Sequence, residues 1–325
     1  MKNLRKIGLL TSAVLVFASC SKNDEPATER PVTKPTASQF AEVRNQATKA
    51  LTQSFVGNGS TGRASFKSIK GVNIKMNTDN LRKNGEAVTG PFEIQFIEIF
   101  DKGHMLSANK STMGRMLDFV NQSIMKSGGE FYLNATQGGV QLTTVGITSF
   151  TLEVPANITG TLDTGMTFWE GTTADPENIV WDRKGPLGFE QIAGGTYIGT
   201  FGNFGWSNID RLIALTGPKT QILASVPQGF NETNCAIYFS IDGEGQNQLA
   251  KFDIYNSATM QFSEHYGQVP IGMACHIIFA SAEGSQWRYA VKGITVTAGG
   301  VTNFTLAETV VGTEAQMVTA INAIQ

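Results

Sequence analysis

The sequence predicts a mainly β protein, built from two antiparallel β-sandwich-like domains with an N-terminal docking helix and a C-terminal helix. Apolar and polar residues alternate over many short segments, as they do in half-buried strands. Glycine-containing turns separate these segments. The chain has 35 glycines and only 16% charged residues, against about 25% in an average globular protein. Short strands joined by tight turns require this composition.

Residues 1–19 are typical of a signal peptide, with a basic start followed by an apolar run over residues 7–17. That run is too short for a membrane helix, which needs about 20 residues, but it has the length of a signal-peptide core. The sequence Phe17-Ala18-Ser19-Cys20 resembles the lipobox of bacterial lipoproteins, with Phe17 where that family usually has Leu. The resemblance implies cleavage before Cys20 and fatty acylation of its thiol, palmitate included. The alternative is an ordinary cysteine after a conventional signal.

Residues 20–37 predict a polar tether, since three prolines favour an extended and semi-rigid chain. Lys22, Asp24 and Glu25 within it resemble the acidic export signal of Bacteroidota surface lipoproteins. The resemblance implies a protein that is lipid-anchored in the outer membrane and faces the cell surface. The alternative is a merely polar linker. Several acyl chains on Cys20 anchor a protein stably, so the membrane is the first expected partner.

The spacing of Phe40, Val43, Ala47, Leu51 and Phe55 predicts an amphipathic helix over residues 38–56, which must bury its apolar stripe on the following domain. From residue 64 the period changes to two, and we expect a first sandwich over residues 64–184. Its predicted strands lie near residues 72–76, 92–99, 131–133, 140–142, 148–155, 166–169 and 179–181.

The polar, glycine- and proline-containing segment 182–188 predicts a boundary, with a second sandwich over residues 189–325. Residues 313–325 predict a closing helix, because Thr313 and Gln316 stand in the relation of a capping box. The other predicted strands of this half lie near residues 196–201, 222–226, 236–241, 249–254, 275–280, 288–291, 294–297 and 303–306.

Three further segments carry a family resemblance. The segments 88–91 and 127–132 resemble the N-terminal half of a group of uncharacterised Bacteroidota lipoproteins. Residues 205–211 resemble a Gly-Trp-Ile-Asn-Cys-Asp-Arg pattern of the same group, with Ser207 and Ile209 departing from it. The first half is also loosely similar to ZU5-type β-sandwiches. The resemblance implies a β-sandwich fold and carries no activity.

Charge and cysteine content narrow the possible partners. A net charge of −2 and scattered basic residues argue against nucleic acid, which requires clustered Lys and Arg. With Cys20 acylated, Cys235 and Cys275 remain, each on the apolar face of a predicted strand. They form either a disulfide or two buried free thiols. The spacing of Cys and His gives no indication of a metal site, and no cofactor is expected.

The densest polar cluster is Glu98, Asp101 and His104, at the end of a strand leading into a predicted long loop. A general base or a metal ligand could stand there, although a polar loop explains the same residues. Trp206, Asp210 and Arg211 form the most specific cluster of the second half, either as a binding surface or as a packed ring beside an ion pair.

No hydrolase motif accompanies the three histidines. We therefore expect a non-enzymatic envelope lipoprotein that binds a protein or glycan partner or takes part in assembly. The alternatives are an envelope hydrolase acting on glycan or peptidoglycan, with the cluster at Glu98 as its site, and a structural stalk or assembly subunit.

Overall fold

The computed structural model describes residues 34–116, 122–172, 178–183, 190–245 and 247–325. Residues Lys34–Gln325 form one compact unit. The predicted fold class is confirmed, since the protein is mainly β with a few helices. The signal peptide, Cys20 and the residues of the proposed export signal lie outside the described residues. The α-helices of the described residues are Ala37–Leu51 (α1), Lys102–Ser107 (α2) and Glu314–Asn322 (α3).

The strands fall into two groups along the chain. Those of the first sandwich are Gln53–Asn58 (β1), Arg63–Lys67 (β2), Asn73–Asn77 (β3), Leu81–Lys83 (β4), Glu86–Ala87 (β5), Pro91–Ile99 (β6), Met113–Arg115 (β7), Gln122–Gln137 (β8), Val140–Gln141 (β9), Thr143–Thr144 (β10), Phe150–Pro155 (β11), Thr167–Thr172 (β12), Val180–Arg183 (β13), Glu190–Ala193 (β14), Thr196–Phe201 (β15) and Gly205–Leu212 (β16).

Those of the second sandwich are Lys219–Thr220 (β17), Leu223–Ser225 (β18), Cys235–Ile241 (β19), Ala250–Lys251 (β20), Ile254–Asn256 (β21), Gln261–Ser263 (β22), Val269–Pro270 (β23), Ala274–Glu283 (β24), Gln286–Thr295 (β25), Val301–Asn303 (β26) and Val310–Gly312 (β27). Short 3-10 helices lie at Gly59–Thr61, Thr78–Asn80, Ala156–Ile158 and Leu306–Glu308.

The first sandwich packs a large sheet, in the order β1-β6-β8-β16-β12-β13-β7, against a smaller sheet in the order β14-β15-β11-β3-β2. Alternating residues of the central strands fill the space between the sheets, among them Phe96, Phe131, Leu152 and Phe201. The long strand β8 also pairs with β7, so β7, β8, β16, β12 and β13 form a closed ring, a small barrel. Closure removes the exposed edge that an open sheet would leave at β7.

The second sandwich packs the sheet β20-β19-β24-β25-β27 against the sheet β21-β22-β18-β26. Strand β19 is buried along its whole length, because it has the sandwich core on one face and a helical layer on the other. Ile237, Phe239, Ile277 and Phe279 point into the sandwich core.

The helices lie between the two sandwiches in one apolar cluster. Phe40 and Val43 of α1 and Met317 of α3 pack there with Ile97 of the first sandwich and Tyr238 of the second. Helix α1 begins with a capping box between Thr36 and Gln39, and α3 with the predicted one between Thr313 and Gln316. Each half therefore covers one face of the same helical layer.

The predicted helix over 38–56 is too long. Helix α1 ends at Leu51, and Thr52 has an extended backbone. The residues that follow form β1, which pairs antiparallel with β6 from Gln53↔Phe96 onward. Phe55 continues the helical spacing of the stripe but packs on the sandwich core, so strand pairing outweighs helical periodicity here.

The loop predicted after Ile99 is also wrong in part, because it contains α2. Asp101 caps this helix by accepting hydrogen bonds from the backbone N–H of His104 and from Asn322 of α3. A Cβ at Gly103 would lie 2.8 Å from the Val318 carbonyl oxygen, so α2 packs closely against α3. A six-residue helix of this kind depends on tertiary contacts.

The predicted boundary at 182–188 falls inside the first sandwich. Strands β14, β15 and β16 follow it, yet β15 pairs with β11 and β16 pairs with β8 and β12. Residues 184–189 lie outside the described residues. The strands belong to the second sandwich only after Leu212. Backbone hydrogen bonds, such as the one from Thr112 N to Leu249 O, connect the two sandwiches. A loop-like composition marks a turn and does not reveal which strands pair across it.

Candidate binding cleft

A cleft of about 790 Å³ lies between α1 and the face of the large sheet that points away from the sandwich core. Its lining from α1 includes Arg44, Asn45, Thr48 and Lys49. The opposite wall comes from the large sheet and from the chain after α2, with Ser54, Gln95, Ile97, Ala108, Asn109, Lys110, Tyr132 and Trp206. Cavities of this size are typical of small-molecule sites.

Tyr132 and Trp206 form an aromatic pair in the sheet wall of the cleft. They face each other across β8 and β16, and their ring centroids are 5.3 Å apart at an interplanar angle of 42°. A Cβ at Gly171 on β12 would lie 2.8 Å from the Trp206 Cβ, so glycine leaves room for Trp206 on the neighbouring strand β16. The pair also borders a second cavity of about 380 Å³, with Glu170 and Phe204 among its walls.

Lys110 is held over Trp206 by the end of α2. Asn109 takes a positive φ of 53°, and the next backbone N–H, of Lys110, donates to the Met105 carbonyl at 2.7 Å. Asparagine tolerates this left-handed conformation better than most residues. The turn places the Lys110 Nζ 5.0 Å from the Trp206 ring centroid, within the range of a cation–π interaction.

A chain of buried hydrogen bonds also stabilises this turn. The Arg44 guanidinium donates to Tyr238 Oη at 3.3 Å, and the Tyr238 hydroxyl donates to Asn109 Oδ1 at 2.8 Å. Arg44 also stacks on Phe40, with its Cζ 3.9 Å from the ring centroid. The chain connects α1, the second sandwich and the turn that carries Lys110.

Two buried carboxyl groups lie on the same face of the sheet as the aromatic pair. Glu130 stands opposite Asn208 across β8 and β16, and Asp210 follows two residues later, where a β-bulge interrupts the register. Both side chains are fully buried. Both Glu130 carboxyl oxygens and Asp210 Oδ1 have no hydrogen-bond partner among the described residues.

The electrostatics of this pair favour its neutral form. Burial, reinforced by the charge of Asp210, raises the pKa of Glu130 well above its ordinary value, and Lys110 opposes this shift. Burial also raises the pKa of Asp210 well above its ordinary value, although Asn208 Nδ2 donates a hydrogen bond to its Oδ2 at 2.6 Å. Sequence reasoning missed Glu130, because strand alternation alone places it on the outer face.

Glu98, Asp101 and His104 do not converge on one cavity. Glu98 accepts hydrogen bonds from Gln53, from the Ser68 hydroxyl at 2.6 Å and from the Lys70 backbone, and so fixes the turn between β2 and β3. Asp101 caps α2 and accepts from His104 Nδ1 at 2.8 Å. This hydrogen bond raises the pKa of His104. It also lowers the pKa of Asp101, although burial opposes that shift.

Trp206, Asp210 and Arg211 occupy three different environments. Trp206 lines the cleft, Asp210 is buried, and Arg211 forms an ion pair with Asp163 at the surface. The expected ion pair between Asp210 and Arg211 does not form, because consecutive strand residues point to opposite faces of the sheet.

Cys235 and Cys275 are both free and buried, so the disulfide alternative is wrong. Strands β19 and β24 are neighbours, but Cys235 pairs with Ser281 and Cys275 pairs with Ile241. Six residues of β24 separate these positions, which is about 20 Å along a strand. A disulfide requires Cα atoms within about 7 Å. Burial raises the pKa of the Cys275 thiol to about 12.

Among the described residues, no group of three or more His, Cys, Asp and Glu side chains gathers as a metal site would require. None of the helices in the same part of the chain is long and apolar enough to cross a membrane.

No known protein family matches the chain, and no curated protein is significantly similar to it. The fold and the cleft therefore define the molecule only as a protein of two β-sandwiches joined by a helical layer, with an aromatic and cationic cleft beside that layer.

Proposed function

We propose that this protein is a lipid-anchored envelope protein whose folded part binds a glycan in the cleft between α1 and the large sheet. The observation that carries the proposal is the pairing of Tyr132 with Trp206 in a wall that otherwise bears amides, hydroxyls and cations. Sugar rings bind proteins through apolar C–H faces and hydroxyl groups at once. A site for them combines an aromatic surface with hydrogen-bonding side chains.

The polar lining favours a sugar over an apolar ligand. Asn45 and Gln95 offer both donors and acceptors around the aromatic pair. An apolar ligand would bury these groups without partners, which costs about 1–3 kcal/mol for each of them. The second cavity shares Tyr132 and Trp206 with the cleft, and it offers a further surface on which sugar units could lie.

Isothermal titration calorimetry on the full-length chain tests the proposal with a panel of neutral and acidic oligosaccharides. We expect at least one probe to bind, and Trp206→Ala to weaken that binding about tenfold or more. Tyr255→Ala is the matched control, because Tyr255 pairs with Phe262 at 4.8 Å on the second sandwich, away from the cleft. A panel without any binder, or equal losses in both variants, would contradict the proposal.

The anchor is tested separately by protease treatment of intact cells. We expect wild-type protein to be digested, the Cys20→Ala variant to be released from the membrane fraction, and a variant with Lys22, Asp24 and Glu25 replaced by Ala to be protected. Protection of the wild-type protein, with digestion only after lysis, would place the folded part in the periplasm.

A further inference from the structure

The charged residues of the cleft are of one sign. Arg44, Lys49 and Lys110 are the charged side chains among the described residues that line it, and none of those residues is Asp or Glu. The whole chain has 25 basic and 27 acidic residues. The cleft therefore carries a positive lining in a chain that is close to neutral overall.

The two lysines come from opposite walls. Lys49 lies in the last turn of α1 and is exposed, while Lys110 lies on the sheet side and is half-buried over Trp206. Lys110 also interacts electrostatically with the fully buried Glu130, and Glu170 lines the second cavity. An anionic group in the cleft would meet two ammonium groups beside an aromatic surface, because Lys49, Lys110, Tyr132 and Trp206 all line it.

We propose that the cleft selects a carboxylated sugar, of the uronic acid class, whose ring packs on Tyr132 and Trp206 while its carboxylate binds Lys49 and Lys110. This inference rests on the proposed glycan function and adds the charge of the ligand. Arg44 is a positioning residue, since it holds Asn109 through Tyr238 and so fixes the turn that presents Lys110. Attraction between exposed ammonium groups and a carboxylate weakens as salt is added.

The test compares oligogalacturonate of three to six units with the same oligomer as its methyl ester, titrated into the full-length chain at low and high salt. The two probes share size and ring chemistry and differ in charge. We expect the acid to bind at least tenfold more tightly than the ester at low salt, and the difference to shrink at high salt. An oligosaccharide sulfate ester of similar length distinguishes a site for carboxylates from one for any anion.

Variants assign the effect to the cleft. Lys110→Met and Lys49→Met should each weaken binding of the acid about fivefold or more and weaken binding of the ester by a smaller factor, whereas Lys110→Arg should retain most of the affinity for the acid. Lys292→Met is the matched control, because the Lys292 Nζ lies 5.3 Å from the Phe304 ring centroid in the second sandwich. Thermal unfolding of each variant verifies that it is folded.

Each outcome decides one of the two proposals. Equal binding of acid and ester would overturn the charge selectivity and leave the glycan function standing. Preferential binding of the acid that survives both lysine substitutions, or falls equally in Lys292→Met, would overturn the assignment to this cleft. Tighter binding of the sulfate ester would overturn the choice of a carboxylate. Failure of all probes in the wider panel would remove the glycan function itself.

Discussion

The buried carboxyl pair makes a prediction about stability that can be worked from the structure. Glu130 is fully buried, and both of its carboxyl oxygens have no hydrogen-bond partner among the described residues. Burial and the nearby Asp210 raise its pKa above the ordinary value of 4.5, so the folded protein holds Glu130 in its neutral form at a pH where the unfolded chain ionises it. The perturbation is Glu130→Gln, which keeps the shape and removes the titration.

The sign follows from proton binding. Above pH 4.5 the unfolded state releases the Glu130 proton and the folded state keeps it, so rising pH favours unfolding. The free energy of unfolding falls by about 1.4 kcal/mol for each pH unit between the ordinary value and the raised pKa. The stability of Glu130→Gln relative to wild type should therefore rise by about 1.4 kcal/mol for each unit within this window. Asp210→Asn should behave in the same way, because the pKa of Asp210 is also raised by burial.

The assay is urea unfolding at pH 5, 6 and 7, followed by tryptophan fluorescence, because Trp169 and Trp206 lie on the strands beside the pair. Glu93→Gln is the control, since Glu93 lies exposed on the adjacent strand β6. Any constant cost of burying an amide appears equally at every pH and does not disturb the slope. A relative stability of Glu130→Gln that is the same at all three pH values would refute the reasoning, and would mean that the folded protein keeps Glu130 ionised.

Three other predictions concern the stability of the folded protein. Burial lowers the pKa of the fully buried Lys102 to about 8, so the unfolded chain binds the proton more tightly than the folded protein. The free energy of unfolding of wild type should therefore rise by about 2–3 kcal/mol relative to Lys102→Met between pH 7 and pH 10.5. Urea unfolding over this pH range measures the rise, and its absence would contradict the prediction. Glu98→Ala leaves the Ser68 hydroxyl and the Lys70 N–H without their acceptor, so it should lower the free energy of unfolding by about 1–3 kcal/mol. It should not change oligosaccharide affinity, because Glu98 points away from the cleft. Cys235 and Cys275 are free, so dithiothreitol should not change the unfolding temperature, and a fall on reduction would reveal a disulfide.

The strands were predictable where one face of a sheet is apolar and the other polar. The alternation around Ile74 and Leu152 locates β3 and β11, and the apolar run before Ile99 locates β6. Helix α3 was predictable because a capping box is a local signal, which Thr313 and Gln316 carry by themselves. These features share one property, which is that neighbouring residues along the chain decide them.

The features that the sequence pattern misses depend on distant partners. Helix α2 is stabilised by Asn322 and by the close packing of Gly103 on α3, more than 200 residues away. The residues of β1 continue the stripe of α1, and only pairing with β6 makes them a strand. The strands after residue 190 return to the first sandwich because β11 and β8 offer them edges, which turn composition does not encode.

The cleft was only partly predictable, for the same reason. Alternation separates Phe131 and Leu133 from Glu130 and Tyr132, and it predicts that the second pair faces solvent. In the folded protein the helical layer and the second sandwich cover part of that face. Glu130 is thereby buried, and Tyr132 becomes a wall of the cleft. The cleft lies at the edge of the area that the helical layer and the second sandwich cover. Its residues could therefore be recognised only from the folded arrangement of both sandwiches around the helices.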